Sequence, residues 1–163
     1  MRKILTALFL SILSVGLAFP QGQGLKVSSG YRDFKVKITK CEADGATVFI
    51  DMLWENVSDK DLQLGFNAFN WIFVYDDEGN RLGDGKGNII LKVGGEAMGY
   101  TSLPPEVPVK AILEVTGVPE SANMLRLVDI YWTSSTLGTT WTGGESQKRI
   151  KLQNVPISRE GDD

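Results

Sequence analysis

Short segments in which apolar and polar residues alternate constrain the fold of this chain more than any other feature. In the run 34–40 (Phe-Lys-Val-Lys-Ile-Thr-Lys) Phe34, Val36 and Ile38 alternate with polar residues, which places these three apolar side chains on one face of an extended strand. A second alternating run, 46–55, follows a turn at Asp44-Gly45. These two strands are therefore predicted to pair as a hairpin.

Six further segments have the composition of strands, and residues typical of turns separate them. They are 66–75, 88–93, 100–103, 109–118, 124–132 and 149–155. No part of the chain after its N-terminal segment shows the longer apolar period of a helix. Because each strand has one apolar face, two sheets can bury these faces against each other. The sequence therefore predicts an all-β fold, an antiparallel β-sandwich of about 7–9 strands.

The N-terminus has the pattern of a signal peptide. Arg2 and Lys3 precede an apolar run at 4–19, and Gly16 and Ala18 supply the small residues of a cleavage site after Ala18. The run is shorter than the roughly 20 residues that a membrane-spanning helix needs. We therefore expect an exported protein, periplasmic or extracellular, with no membrane span after cleavage.

Four parts of the chain are predicted from these patterns. They are a signal peptide at 1–18, a flexible N-terminal segment at 19–30, a β-sandwich domain at 31–158 and a polar C-terminal tail at 159–163. The chain has 17 basic and 20 acidic residues, so loss of Arg2 and Lys3 leaves 15 basic residues and a net charge of −5. This negative charge argues against a nucleic-acid partner, because phosphate binding depends on clustered Lys and Arg.

Several turn and strand segments together resemble the secreted bacterial immunoglobulin-like domains of the telokin-like kind, many of which have no known function. These segments are Trp-Glu-Asn-Val-Ser-Asp at 54–59, Val-Tyr-Asp-Asp-Glu-Gly-Asn at 74–80, residues 105–110, Gly-Val-Pro-Glu-Ser-Ala at 117–122 and Gln-Asn-Val-Pro-Ile at 153–157. The resemblance implies an immunoglobulin-like sandwich at 31–158 and no catalytic residues. It departs from antibody domains, which pair two cysteines around a core tryptophan, because this chain has one cysteine.

The residue types that are missing exclude most catalytic and metal sites. The chain contains no histidine and one cysteine, Cys41. Nucleophilic sites that need histidine, histidine-based metal sites and thiolate clusters are therefore ruled out. A pair of carboxylates is the one enzymatic site that this composition allows. We predict no enzyme, no cofactor and no metal site, and we expect Cys41 to be a buried thiol.

Two polar segments have an ordinary interpretation as turns. The acidic segment 76–88 has the oxygen ligands that calcium prefers, but its glycine spacing departs from the helical calcium loop. A solvated hairpin turn is the prediction there. Asn56 begins an Asn-Val-Ser glycosylation motif, and we interpret it as a turn residue.

The loop between the last two strands holds the residues predicted to contact a ligand or partner. Trp141 lies among threonines and glycines, with Leu137 and Thr139 close by in sequence, whereas Trp54, Trp71 and Trp132 lie in apolar strands. A loop aromatic can stack on a sugar ring or anchor a protein partner. The alternative is that Trp141 folds back and caps one end of the sandwich.

The sequence favours an exported, non-enzymatic binding or protein-interaction module of the cell envelope, with an envelope protein or a glycan as its partner. The first alternative is a carbohydrate-binding module that uses Trp141, for which sugar would quench tryptophan fluorescence and Trp141→Ala would abolish the effect. The second is a small glycosidase-like enzyme with two carboxylates, which would turn over substrate and lose activity on one Asp or Glu substitution.

Overall fold

A computed structural model of the chain describes residues 24–66, 72–83, 88–97, 99–134 and 148–160. Within these ranges there are twelve strands and no helix. The strands are β1 (Lys26–Ser28), β2 (Phe34–Asp44), β3 (Thr47–Asn56), β4 (Leu62–Gly65), β5 (Ile72–Asp76), β6 (Arg81–Leu82), β7 (Ile89–Val93), β8 (Glu96–Ala97), β9 (Tyr100–Leu103), β10 (Val109–Thr116), β11 (Met124–Ser134) and β12 (Lys148–Pro156).

The strands form two antiparallel sheets that pack as a sandwich. Strands β2, β3, β10, β7 and β8 make a five-stranded sheet in that order, and the other seven make the second sheet. The long strand β11 organises the second sheet: β12 and then β1 lie on one side of it. On its other side β5 pairs with the first part of β11 and β4 pairs with its last two residues. Strand β6 flanks β5, and β9 flanks β4.

The structure confirms the predicted β-sandwich and the predicted hairpin, which is the pair β2 and β3. The prediction of about 7–9 strands is too low for the described residues, because β1, β4, β6 and β8 were not anticipated. Three of these strands have two or three residues, too few for a period-two pattern to stand out. Of the strand expected at 66–75, the structure describes residues 72–75 within β5 and Phe66 outside a strand, and residues 67–71 lie outside the described ranges.

Both ends of the described chain are tied to the sandwich. The segment 19–30, predicted to be flexible, contains β1, whose backbone pairs with β12. Gly30 then turns the chain with a φ of +67°, and a Cβ there would lie 2.6 Å from the carbonyl oxygen of Arg149. At the other end Arg159, in the predicted polar tail, donates to the carbonyl oxygens of Pro119 (3.0 Å) and Ala122 (3.1 Å). Backbone pairing and side-chain donors thus order residues whose composition is polar.

A chain of aromatic rings joins the two sheets at one end of the core. Phe34 packs edge-on against both Trp54 and Trp132, with ring centroids 5.4 Å apart in each case. Trp54 also contacts Phe66 (5.7 Å), and Trp132 contacts Tyr31 (6.0 Å). Trp54 and Trp132 are fully buried, as expected for tryptophans in apolar strands.

Asn56, the last residue of β3, ties two loops together from a fully buried position. Its Nδ2 donates to the carbonyl oxygens of Lys60 (2.7 Å) and Leu103 (2.9 Å), and its Oδ1 accepts from the backbone N–H (3.1 Å) and hydroxyl (2.7 Å) of Ser58. Its carbonyl oxygen accepts from the backbone N–H of Glu106 (2.7 Å). The interpretation of Asn56 as a turn residue is wrong by one position, because Asn56 ends β3 and its side chain holds the turn that follows. In the folded protein this side chain is buried.

Cys41 lies in β2 and is buried with a free thiol, as predicted. Burial, and secondarily the charge of Glu42, raise the pKa of this thiol from 9.0 to about 12. We expect the native thiol to react with Ellman's reagent at pH 8 about a thousandfold more slowly than in guanidinium chloride, because the thiolate is the reactive form. Comparable rates in the two conditions would contradict its burial.

The raised pKa of Cys41 also predicts a pH dependence of stability. Because the folded pKa of about 12 exceeds the unfolded value of 9.0, the contribution is complete below pH 9 and is lost as the pH rises towards 12. By pH 11 the loss amounts to roughly 3 kcal/mol. Urea unfolding of the wild type and Cys41→Ala at several alkaline pH values measures it, and equal slopes for both proteins would refute it.

Candidate functional site

The three residues predicted to contact a ligand, Leu137, Thr139 and Trp141, lie outside the described residues. The described chain stops at Ser134, the end of β11, and resumes at Lys148, the start of β12. The carbohydrate-binding hypothesis for this loop stays a prediction. The described residues contain a different candidate site, and part of it lies on β11 and β12, the two strands that flank this loop.

This candidate is the outward side of the seven-stranded sheet. In β11 the residues Val128, Ile130 and Trp132 point into the core, so Asp129 and Tyr131, which alternate with them, point outward. Their partners across the sheet share that side. Phe73 of β5 lies opposite Asp129, and Arg149 and Lys151 of β12 lie opposite Tyr131 and Asp129. We call the six residues Phe73, Arg81, Asp129, Tyr131, Arg149 and Lys151 the cationic aromatic face.

Two aromatic rings form the centre of the cationic aromatic face. The rings of Phe73 and Tyr131 meet edge to face, with centroids 5.8 Å apart and planes at 83°. The guanidinium carbon of Arg81 lies 4.8 Å from the centroid of Phe73, close enough for a cation–π contact. Both rings are half-buried although they lie on the side of the sheet that faces away from the core. Solvent-facing strand positions are more often polar, so this apolar centre needs an explanation.

Asp129 is the most unusual residue of the face. It is 7% exposed, and its Oδ1 is buried with no hydrogen-bond partner. Its Oδ2 lies 3.6 Å from Nη1 of Arg149, which is half exposed. The hydrogen bond to Tyr131 and then the charge of Asp129 raise the pKa of the Arg149 guanidinium above its usual value. Asp129 therefore carries a buried charge that a long contact with one arginine compensates only in part.

The two sheets differ in the charge of their outward sides. At outward positions of paired strand residues, the described part of the seven-stranded sheet has four basic side chains and one acidic one: Lys26, Arg81, Arg149, Lys151 and Asp129. The described part of the five-stranded sheet has five of each: Lys35, Lys37, Lys40, Lys92, Lys110, Glu42, Asp44, Asp51, Glu55 and Glu114. The cationic aromatic face is therefore a local excess of positive charge on an acidic protein.

Comparison with protein families, curated proteins and solved structures found no match to this chain. The resemblance to telokin-like domains therefore stays a hypothesis. In the described ranges no helix has the length and apolar character needed to cross a bilayer.

The first part of the acidic segment, residues 76–80, forms the hairpin turn between β5 and β6 that its composition predicts. The Oδ1 of Asp76 accepts from the backbone N–H of Asn80 (2.7 Å), and its Oδ2 accepts from the Asn80 side chain (2.9 Å). Asp77 instead accepts from the backbone N–H of Asn123 (3.2 Å). Residues 84–87 lie outside the described ranges. No cluster of three acidic or thiol side chains suited to a metal occurs among the described residues.

Proposed function

We propose that this protein is an exported, non-enzymatic binding module that holds a protein partner on its cationic aromatic face. The observation that carries the proposal is the buried, unpartnered Oδ1 of Asp129 beside two half-buried aromatic rings. A buried charge without a full set of partners destabilises the free protein. A partner that supplies a donor and covers the rings would recover this cost. The N-terminal sequence pattern is the basis for export.

The composition of the face favours binding over catalysis. Glycoside hydrolysis needs two carboxyl groups on either side of the scissile bond. At the paired outward positions described for this sheet, Asp129 is the one carboxylate, and Arg149 lies 3.6 Å from it. Arginine and aromatic side chains are instead the residue types that dominate the energy of protein–protein interfaces.

Affinity capture from envelope extract with matched variants tests this proposal. The face variant Arg81→Gln/Lys151→Gln removes two charges and leaves the pair of Asp129 and Arg149 intact. The control variant Lys35→Gln/Lys37→Gln removes two charges from the outward side of the other sheet. We expect one partner to be recovered by the wild type and the control, and about tenfold less by the face variant. Equal recovery by all three proteins, or recovery by none, would refute binding through this face.

A further inference from the structure

We infer that the partner of the cationic aromatic face is an acidic protein segment, whose carboxylates bind Arg149 and its basic neighbours while an N–H group donates to Asp129. This inference rests on the proposed function and specifies the chemistry of the partner. Three observations carry it: the excess of positive charge, the negative group inside it, and the arrangement of the rings.

The excess of basic residues selects an anionic partner. Arg149 is half exposed, and its contacts with Asp129 (3.6 Å) and Tyr131 occupy only part of its five guanidinium N–H groups. A guanidinium binds a carboxylate through two parallel hydrogen bonds, which gives both strength and orientation. Lys151 follows Arg149 by two residues in β12, and it lies opposite Asp129 of the neighbouring strand β11. Carboxylates spaced along an extended peptide can meet both residues, because they lie on one side of one strand.

The unpartnered oxygen of Asp129 favours a peptide over a simple polyanion as the partner. A chain of phosphates or sulfates has no hydrogen-bond donors and would place its charge beside the Asp129 carboxylate. A peptide carries a backbone N–H at nearly every residue, so it can satisfy the unpartnered Oδ1. Two of the neighbours of Asp129, Arg149 and Lys151, are long side chains that can swing aside to let a donor in.

The arrangement of the Phe73 and Tyr131 rings favours a peptide over a glycan as the partner. Stacking of a sugar needs an open aromatic face. Arg81 occupies one face of Phe73 at 4.8 Å, and Tyr131 meets that ring at 83°. The pair therefore forms an uneven apolar patch suited to a side chain, rather than a flat platform for a pyranose ring.

Fluorescence anisotropy with a labelled peptide of alternating Glu and Gly tests the inference. The purified protein should bind this peptide, and a peptide with Gln in place of Glu should bind about tenfold more weakly. Arg149→Gln should weaken binding of the Glu peptide about tenfold, whereas Lys37→Gln on the other sheet should change it less than about twofold. Inorganic polyphosphate and a polyuronate serve as competitors at about 150 mM salt, where long-range attraction is screened.

The isosteric variant Asp129→Asn provides the sharpest readout. Removing the negative charge should strengthen polyphosphate binding about fivefold or more, while the Glu peptide gains less, because the amide oxygen of Asn accepts its N–H group more weakly than a carboxylate does. If polyphosphate displaces the peptide from the wild type as readily as from Asp129→Asn, the inference is overturned. A polyuronate that binds more tightly than the peptide would also overturn it. If the peptide fails to bind while capture still depends on Arg81 and Lys151, the inference is wrong and the proposed function stands. If both experiments fail, both are wrong.

Discussion

Replacing Trp132 with alanine is expected to lower the free energy of unfolding by about 4 kcal/mol, the cost of removing a large, fully enclosed aromatic side chain. Trp132 is fully buried, and its ring packs edge to face against the rings of Phe34 and Tyr31. The amino group of Lys148 also lies 5.3 Å from its centroid. Because Phe34 belongs to the five-stranded sheet and Trp132 to the other, the loss would weaken the contact between the sheets.

Urea unfolding followed by circular dichroism measures this effect, and the adjacent residue supplies the control. Tyr131 is next in β11 but points outward, so Tyr131→Ala should cost only about 1 kcal/mol. Trp132→Phe should cost clearly less than Trp132→Ala, since the indole N–H has no hydrogen-bond partner to lose. Equal costs for Trp132→Ala and Tyr131→Ala would contradict the inward and outward assignment of β11.

Replacing Asn56 with alanine is expected to cost about 3 kcal/mol, because it leaves a buried carbonyl group without its side-chain donor and removes the hydrogen bonds that hold the next turn. The buried carbonyl group is that of Leu103, to which the Asn56 amide donates at 2.9 Å, and the amide also donates to the Lys60 carbonyl at 2.7 Å. Asn56→Asp should be at least as harmful at neutral pH, since it replaces the donor with a carboxylate that faces the same oxygens. Thermal and urea unfolding provide the measurement.

Asn123 is the matched control for Asn56. Its side chain is exposed and donates to the nearby carbonyl oxygen of Ser121 (3.1 Å), so Asn123→Ala should change the free energy of unfolding by about 0.5 kcal/mol or less. A similarly small effect of Asn56→Ala would show that water replaces the lost amide, and the role of Asn56 in joining the loops would then be rejected.

The main strands were predictable because their patterns are local. The alternation in β2 and β3, the turn between them and the apolar face of β10 are all visible in consecutive residues, and each matches a strand of the structure. The strands that were missed, such as β1 and β6, are short and lie at sheet edges. Their order depends on pairing with β12 and β5, and that pairing joins residues far apart in the sequence.

The cationic aromatic face was not predictable for the same reason. The alternation of β11 indicates that Asp129 and Tyr131 lie on the same side of the sheet. Phe73 and Arg149 lie beside them only because β5 and β12 pair with β11. A single acidic residue inside an apolar strand was the available signal. From Asp129 alone the sequence could indicate that β11 is unusual. It could not identify the residues of β5 and β12 that lie beside Asp129 in the sheet.

Site-specific photo-crosslinking in the producing cells tests the central claim most directly. A benzophenone amino acid would replace Tyr131 on the cationic aromatic face and, in a second strain, Phe49, an aromatic on the outward side of the other sheet. Binding through the cationic aromatic face predicts one discrete crosslinked product from position 131 and none from position 49. No product from position 131, or the same products from both positions, would contradict it.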